Sequence, residues 1–165
     1  MQVSLYGLSV KIPREWRVKI ADRTSYESGG FSLVSPTAGD INVIWAQLDQ
    51  FKRQYPTPEA YFETQFKQLE EDAKKKRILD LSIDKRPWLL IPDHKALLYK
   101  VTYTTKPILG REVHRKVLGL GVYCEKSNRF IIIYNESSDE KNQKPMPDDV
   151  ILSVMESFRC LCDED

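Results

Sequence analysis

The order of the elements that hydrophobic patterning predicts is the feature that most constrains this chain. Short runs with an apolar residue at every second position fill Gln2–Leu48, a spacing typical of strands buried on one face. An amphipathic helix follows at Thr57–Ala73, then come long β-patterned runs over Ile78–Asn135, and a second amphipathic helix, Pro147–Leu161, comes last. Because helices do not alternate with single strands, this order predicts one antiparallel sheet with helices packed on it.

Length and charge restrict the protein class. The chain has 165 residues, of which 41% are hydrophobic and 30% are charged, as expected for one globular domain. Its 25 basic and 24 acidic residues leave a net charge of +1. Proteins that bind nucleic acid through its phosphates usually carry a clear basic excess, so the composition argues against a nucleic-acid partner.

The sequence predicts a cytoplasmic protein with no membrane partner. No segment approaches the ~18 consecutive apolar residues of a membrane span. The first residues, which include Met1, lack the basic and apolar regions of a secretory signal and have a strand pattern instead.

A cluster of cations, Lys74–Arg77, ends the first predicted helix. Cations at a helix C-terminus interact favourably with the helix dipole, and we prefer this structural interpretation. The alternative is that Lys74–Arg77 contacts nucleic acid or an anionic membrane.

The cysteines do not predict a metal site. Three cysteines are too few, and odd in number, for a disulfide framework, and the spacing leaves any single pairing open. Cys124 falls in a strand pattern as a small buried residue, whereas Cys160 and Cys162 lie near the end of the last predicted helix and should point to different faces. A metal site needs about four convergent ligands, and the chain has only two histidines. We therefore predict no metal and no cofactor.

The motifs of known enzyme classes are absent from the sequence. His94 and His114 are the candidate bases, but no nucleophile motif, phosphate-binding loop or His-Glu-x-x-His accompanies them. The sequence therefore assigns no catalytic residue and favours a protein without enzymatic activity.

Irregular segments are predicted within and between the long strands. Polar residues at Glu112–Lys116 share a phase with apolar ones at Leu118–Val122, which predicts a bend near Leu118–Gly121. A hairpin loop is predicted at Pro107–Gly110, and a mobile loop at Glu136–Met146, where charged residues show no period.

Four residues near strand ends are candidates for binding. Tyr55 precedes the first helix, Arg86 and Trp88 lie in a Lys-Arg-Pro-Trp stretch, and His94 follows them. Arginine and tryptophan are enriched at interface hot spots, so these residues predict a protein-binding surface. The alternative is that Trp88 is a core residue and Arg86 a charge at its rim.

Several short motifs resemble those of the PsbP-like fold family. This family includes the extrinsic subunit of the oxygen-evolving complex and the Mog-type proteins that bind the Ran GTPase. The matching segments have the patterns IP-x-x-W, F-x-L-x-S-P, T-P-E-x-Y and V-x-x-S-F, and they are Ile12–Trp16, Phe31–Pro36, Thr57–Tyr61 and Val154–Phe158. The resemblance covers nearly the whole chain and implies one domain over residues 1–165. It also implies an α/β/α sandwich of the α+β class, with a six- or seven-stranded, mainly antiparallel sheet flanked by two principal helices.

The resemblance also implies a role. Family members are similar in fold and diverse in function, and most are non-catalytic binding or assembly factors. Residues for the photosystem role or the Ran role cannot be carried over, and a prokaryotic, cytosolic member fits best. We expect a non-catalytic protein-binding or assembly domain whose partner is another protein. The alternative is a small-ligand-binding protein or hydrolase, with a pocket between sheet and helix that uses His94 or His114.

Overall fold

The computed structural model describes residues 1–106, 110–140 and 144–162. The elements in these residues are β1 Gln2–Leu5, β2 Leu8–Lys11, β3 Arg17–Ile20, β4 Gly29–Val34, β5 Asp40–Gln47, α1 Asp49–Lys52, α2 Pro58–Lys74, β6 Ile78–Pro87, β7 Lys95–Thr105, β8 Val113–Cys124, β9 Arg129–Ser138, α3 Asp148–Ser157 and β10 Arg159–Cys160.

The strands form two antiparallel sheets. The larger sheet has seven strands in the order β3-β4-β5-β9-β8-β7-β6, and the smaller has three in the order β1-β2-β10. The long helices α2 and α3 belong to separate hydrophobic clusters on opposite faces of the large sheet. This arrangement confirms the predicted α+β sandwich with two principal helices.

Helix α2 covers one face of the large sheet with aromatic side chains. The helix begins as predicted: the Thr57 hydroxyl accepts a hydrogen bond from the Ala60 backbone N–H at 3.2 Å, and Pro58 opens the first turn. Phe62 and Phe66 are buried against Tyr99, and their ring centroids lie 4.4 and 5.8 Å, respectively, from that of Tyr99. This face is therefore an aromatic core.

Helix α3 covers the other face, together with the small sheet. Ile151 and Met155 of α3 are fully buried in an aliphatic cluster with strand residues of both sheets. The strand residues of this cluster include Leu8, Val10, Leu33, Ile41, Leu120, Val122, Ile131 and Ile133. The second core therefore joins the N-terminal and C-terminal segments to the large sheet.

The C-terminal helix is shorter than predicted. It ends at Ser157, because Phe158 takes extended dihedral angles (φ −63°, ψ 136°), and the predicted end at Leu161 is wrong. Cys160 then pairs with Leu8 of β2 in the small sheet. Cys160 therefore lies on a strand and Cys162 lies after it, so the prediction that both lie near the end of the helix is wrong.

The segment before β7 also differs from its prediction. Strand β6 continues through Arg86 to Pro87, and the run Trp88–Ile91, which falls within the predicted β-patterned runs over Ile78–Asn135, lies in the loop that joins β6 to β7. The loop is fixed at its start, because the Trp88 N–H donates to the Ala96 carbonyl at 2.9 Å.

The predicted bend near Leu118–Gly121 is absent. Strand β8 keeps an unbroken register with both neighbours there, and a register shift occurs instead in β6, between Leu79 and Ser82. The glycines instead make room for rings: a Cβ on Gly119 would lie 2.2 Å from Tyr99 Cζ, and one on Gly121 would lie 2.3 Å from Phe62 Cε2.

Two predicted loops fall partly outside the described residues. Residues 107–109 of the first and 141–143 of the second are not described. In the second, β9 extends to Ser138 and Met146 is buried, so the prediction of a loop over the whole of Glu136–Met146 is wrong. No helix in the described part of the chain combines the length and the apolar character that a membrane span needs.

Candidate metal centre

Three separate segments bring four potential metal ligands together at one end of β8. Cys124 is the last residue of β8, and His94 immediately precedes β7, the neighbouring strand. Cys160 lies in β10, and Cys162 follows it by two residues. One ligand atom from each of the four lies within 4.8 Å of all the others, so the fold converges four side chains that are far apart in sequence.

The distances within this cluster are short. The Cys160 sulfur lies 3.0 Å from the Cys124 sulfur, and the Cys162 sulfur lies 3.4 Å from it. The His94 Nε2 lies 3.9 Å from the Cys162 sulfur. Cys124 is fully buried and the other three residues are half-buried. The cluster is therefore a partly enclosed group of three sulfurs and one ring nitrogen.

The loop orients His94 toward the sulfurs. The His94 Nδ1 lies 2.6 Å from the Pro92 carbonyl oxygen, so Nδ1 carries the proton and donates it there. Nε2 then has its lone pair toward the cluster. Asp93 has a positive φ of 59°, which produces the sharp turn that points the next residue inward. A hydrogen bond from the second ring nitrogen to a carbonyl is the usual support of a metal-binding histidine.

A buried arginine borders the cluster. Arg129 is 0% exposed, and its Nη2 lies 3.7 Å from the Cys160 sulfur. Its remaining hydrogen bonds go to the carbonyl oxygens of Tyr6 and Gly7 and to the Ser127 hydroxyl. The guanidinium also packs over a tyrosine ring, with its Cζ 4.3 Å from the centroid of Tyr26. A permanent positive charge is thus held next to the sulfurs.

Hydrogen bonding shifts the pKa values of the two closest thiols in opposite directions. The Cys160 thiol donates to the Cys124 sulfur, and together with hydrogen bonding from Ser127 it holds the pKa of Cys124 well below its usual value. The same hydrogen bond, together with burial, raises the pKa of Cys160. Cys124 is therefore the sulfur that most readily becomes a thiolate, which is the form that binds metals.

These groups could hold a metal ion, although the sequence predicted none. The prediction depended on too few convergent ligands and on a helix that separates Cys160 from Cys162. In the structure four ligand atoms converge, and both cysteines lie beyond the helix. The signal that could have found the site is the Cys-x-Cys spacing, because residues i and i+2 of an extended segment share a face.

The four predicted binding residues do not form one surface. Arg86 is exposed at the end of β6, Trp88 is buried at the start of the following loop, and His94 ends that loop inside the cluster. Tyr55 lies on the α2 side, where its carbonyl accepts a hydrogen bond from Tyr123 and its ring packs on another tyrosine. Trp88 and His94 therefore lie in the β6–β7 loop, Arg86 lies at the end of the strand before it, and Tyr55 is separate.

Sequence reasoning missed the exposed large hydrophobic residues of this loop. Leu89 and Leu90 are 87% and 52% exposed, whereas Trp88 and Ile91 on either side are buried. The run Trp88–Ile91 is apolar at every position, so no period distinguishes its exposed leucines from its buried tryptophan and isoleucine, and the pattern alone predicted a strand.

The two histidines are far apart. His114 lies near the other end of β8, ten residues from Cys124, which corresponds to about 33 Å along a strand. Its Nδ1 lies 2.9 Å from the Thr104 hydroxyl, beside a cavity of about 470 Å³ that Lys116 and Asp139 also line. His94 and His114 therefore cannot serve one active site.

Comparison with known proteins identifies the fold. No family profile matches the chain, and no curated protein matches it by sequence. Among solved structures, the chain is similar to the solution structure of cyanobacterial PsbP (CyanoP) from Synechocystis sp. PCC 6803, with a TM-score of 0.54 and 15% sequence identity. The match covers 96% of this chain and 90% of that one. The PsbP-like fold is thus shown.

Proposed function

We propose that this chain is a non-catalytic protein-binding or assembly domain that contacts its partner through the β6–β7 loop. The observation that carries this proposal is that Leu89 and Leu90 are 87% and 52% exposed, although the residues directly before and after them are buried. Trp88 and Ile91 anchor the loop in the core, so the two leucines are held outward. Covering a leucine contributes about 1.5–3 kcal/mol, which makes the pair a candidate binding hot spot.

The charges near the leucines define the kind of partner. Arg86 and Lys95 flank the loop and are both exposed, and Asp93 is the only acidic residue between them. Such a surface fits a protein with an apolar pocket that is surrounded by acidic side chains. A single domain over residues 1–165, of prokaryotic and Mog-type affiliation and located in the cytosol, belongs to the same proposal. A reducing cytosol keeps cysteines as thiols.

A comparison of immobilised variants tests the proposal. Wild-type protein should capture a stoichiometric protein partner from native lysate, and the double variant Leu89→Asp/Leu90→Asp should lose it. Ile44→Asp is the matched control, because Ile44 is also exposed, at 41%, but lies on β5. This control should retain the partner. Captured protein supports the proposal only if these two variants differ in this way.

Three outcomes would contradict the proposal. The wild type could elute alone, the aspartate variants could capture as much partner as the wild type, or the loop could bind vesicles of anionic phospholipid and no protein. Light scattering of the purified chain also distinguishes a second copy from a different partner, because self-association through the leucines would increase the mass with concentration.

A second candidate function, small-ligand binding, is favoured by one cavity. It measures about 340 Å³, within the range of ligand sites, and it lies beside α3 with Arg86, Lys100 and Asp148 in its lining. A thermal-shift screen of small anions and metabolites tests it. A ligand that stabilises the wild type should lose its effect in Arg86→Ala, and the absence of any stabilising compound would reject this function.

A further inference from the structure

We propose that His94, Cys124, Cys160 and Cys162 bind one structural Zn²⁺ ion. The proposal goes beyond the proposed function, because metal binding and partner binding can succeed or fail separately. In a tetrahedral zinc site the Zn–S distance of about 2.3 Å places neighbouring sulfurs about 3.8 Å apart. The sulfur–sulfur distances here are 3.0 and 3.4 Å, and the nitrogen–sulfur distance is 3.9 Å. To complete the tetrahedron, the Cys160–Cys124 sulfur distance must lengthen by about 0.8 Å and the Cys162–Cys124 sulfur distance by about 0.4 Å.

The chemistry of the ligands selects the metal. Thiolate and imidazole ligands favour zinc and related metals over Mg²⁺ and Ca²⁺, which prefer oxygen. Three cysteines and one histidine are a common set for structural zinc. The protein supplies all four ligands, so no coordination position is left for a substrate or a reactive water molecule. The centre is therefore structural.

The surroundings of His94 match a metal-bound histidine. The proton on Nδ1 is held by the Pro92 carbonyl at 2.6 Å, which leaves the Nε2 lone pair for the metal. This hydrogen bond fixes both the tautomer and the plane of the ring before the metal arrives. The backbone turn at Asp93, with its positive φ, serves the same placement.

The charge of Arg129 is the second, independent observation. Three thiolates, one neutral imidazole and one Zn²⁺ give the centre a net charge of −1. Arg129 is fully buried within hydrogen-bonding range of the Cys160 sulfur, and within residues 1–106, 110–140 and 144–162 no carboxylate forms an ion pair with it. A buried charge is costly unless it is paired. The anionic zinc–thiolate centre would provide the opposite charge.

The position of the centre defines its role. His94 ends the loop that presents Leu89 and Leu90, Cys124 ends β8, and Cys160 lies in the strand that completes the small sheet. Zinc would therefore fix the loop and the C-terminal segment to the same end of the large sheet. Removal of the metal should loosen both segments and leave the rest of the large sheet intact.

Metal analysis of the full-length protein tests the inference. Protein purified with reductant and Zn²⁺ should contain one zinc per chain by native mass spectrometry and elemental analysis. Replacement of zinc by Co²⁺ should give the visible bands of a tetrahedral site and a thiolate-to-cobalt charge-transfer band. Cys162→Ser and His94→Ala should lose stoichiometric binding, and Arg129→Met should weaken it about 10- to 100-fold, as is typical for a residue that supports metal ligands.

Two control variants show whether zinc binding depends on the four ligands. His114→Ala changes the other histidine and should keep one zinc per chain. Leu89→Asp/Leu90→Asp should also bind zinc normally, so a failure of the partner experiment leaves the zinc inference intact. If a cysteine variant does not fold, titration of Co²⁺ into metal-free wild-type protein gives the same answer.

Two results would overturn the inference. One is wild-type protein that gives no charge-transfer band with Co²⁺ and retains no zinc after dialysis. The other is an intact mass two hydrogens below that of the reduced chain after purification with reductant, which would show a disulfide in place of the metal.

Discussion

A histidine lies at each end of β8, and the two ends differ in the groups that surround this histidine. At the Cys124 end, His94 meets three sulfurs and a buried arginine, and Cys124 and Arg129 are both fully buried. At the other end, His114 is exposed and bonds to a threonine, beside Lys116, which pairs with Asp148 at the surface. At the first end, soft metal ligands lie together beside a buried charge, and at the second end the charged groups are partly exposed to water.

This difference shows that residue type alone does not indicate a site. Both histidines lie near strand ends, and neither has a catalytic motif beside it in the sequence. The two histidines differ in the segment that packs beside each of them. The C-terminal segment brings two cysteines to His94. His114 instead lies beside Asp139, whose carboxylate accepts a hydrogen bond from the His114 backbone N–H at 3.0 Å. Electrostatic effects should therefore be large at the Cys124 end and small at the His114 end.

Removal of zinc should have the largest effect. With free zinc at a thousand times its dissociation constant, binding stabilises the folded state by about 4 kcal/mol. For a chain of this size that corresponds to a decrease in melting temperature of about 8 to 16 °C when a chelator is added. Differential scanning calorimetry with and without chelator, in the presence of reductant, measures it. An unchanged melting temperature would remove the proposed contrast between the two ends.

Arg129→Met should give the second largest effect. The substitution leaves the Tyr6 carbonyl without its Arg129 donor, which costs about 1–3 kcal/mol, whereas the Gly7 carbonyl keeps the hydrogen bond from the Leu161 backbone N–H. The loss should be greater with zinc bound than without it, because the metal centre then also loses its cationic neighbour. Urea unfolding of both forms measures the difference. Arg159→Met is the control, since Arg159 is exposed at the same end. Equal losses with and without zinc would argue against charge pairing.

Much of the fold was predictable because its signals are local. The start of α2 follows from Thr57, Pro58 and the acidic residue after them, whose preferences act within one helical turn. Strand alternation over Lys95–Thr105 likewise depends only on neighbours along the chain. The resemblance in short motifs then led to the sandwich architecture, which the similarity to CyanoP supports.

The candidate metal centre was not predictable in the same way. The apolar stripe of α3 continues to Leu161 at helical spacing, so the local pattern extends the helix past its end. The helix ends because Arg159 and Cys160 pair with Ser9 and Leu8, about 150 positions earlier in the chain. Periodicity within one segment contains no information on that contact. The cysteines converge as a consequence of it.

At the opposite end of β8, His114→Ala should destabilise the protein by about 1 kcal/mol. The Thr104 hydroxyl is buried and loses its hydrogen bond to the ring, which accounts for the whole effect. Zinc content and the cobalt spectrum should stay unchanged. Thr104→Val in the same background serves as control, because it removes the unpaired hydroxyl and should recover part of the loss. A decrease as large as that of Arg129→Met would mean that the His114 end is not weakly coupled.

Asp148→Asn should have the smallest effect, below about 1 kcal/mol at neutral pH. Hydrogen bonds from Lys100, which has the larger effect, and from Lys116 lower the pKa of Asp148 below its usual 3.8. Asp148 and Lys100 are both partly exposed, so water screens their interaction. Because the folded state has the lower pKa, the contribution is complete above pH 3.8 and is lost as pH falls through the folded value. Urea unfolding of wild type and variant should therefore differ at pH 7, differ less in high salt, and converge in acid. A difference that persists in acid would show that Asp148 acts through something other than its charge.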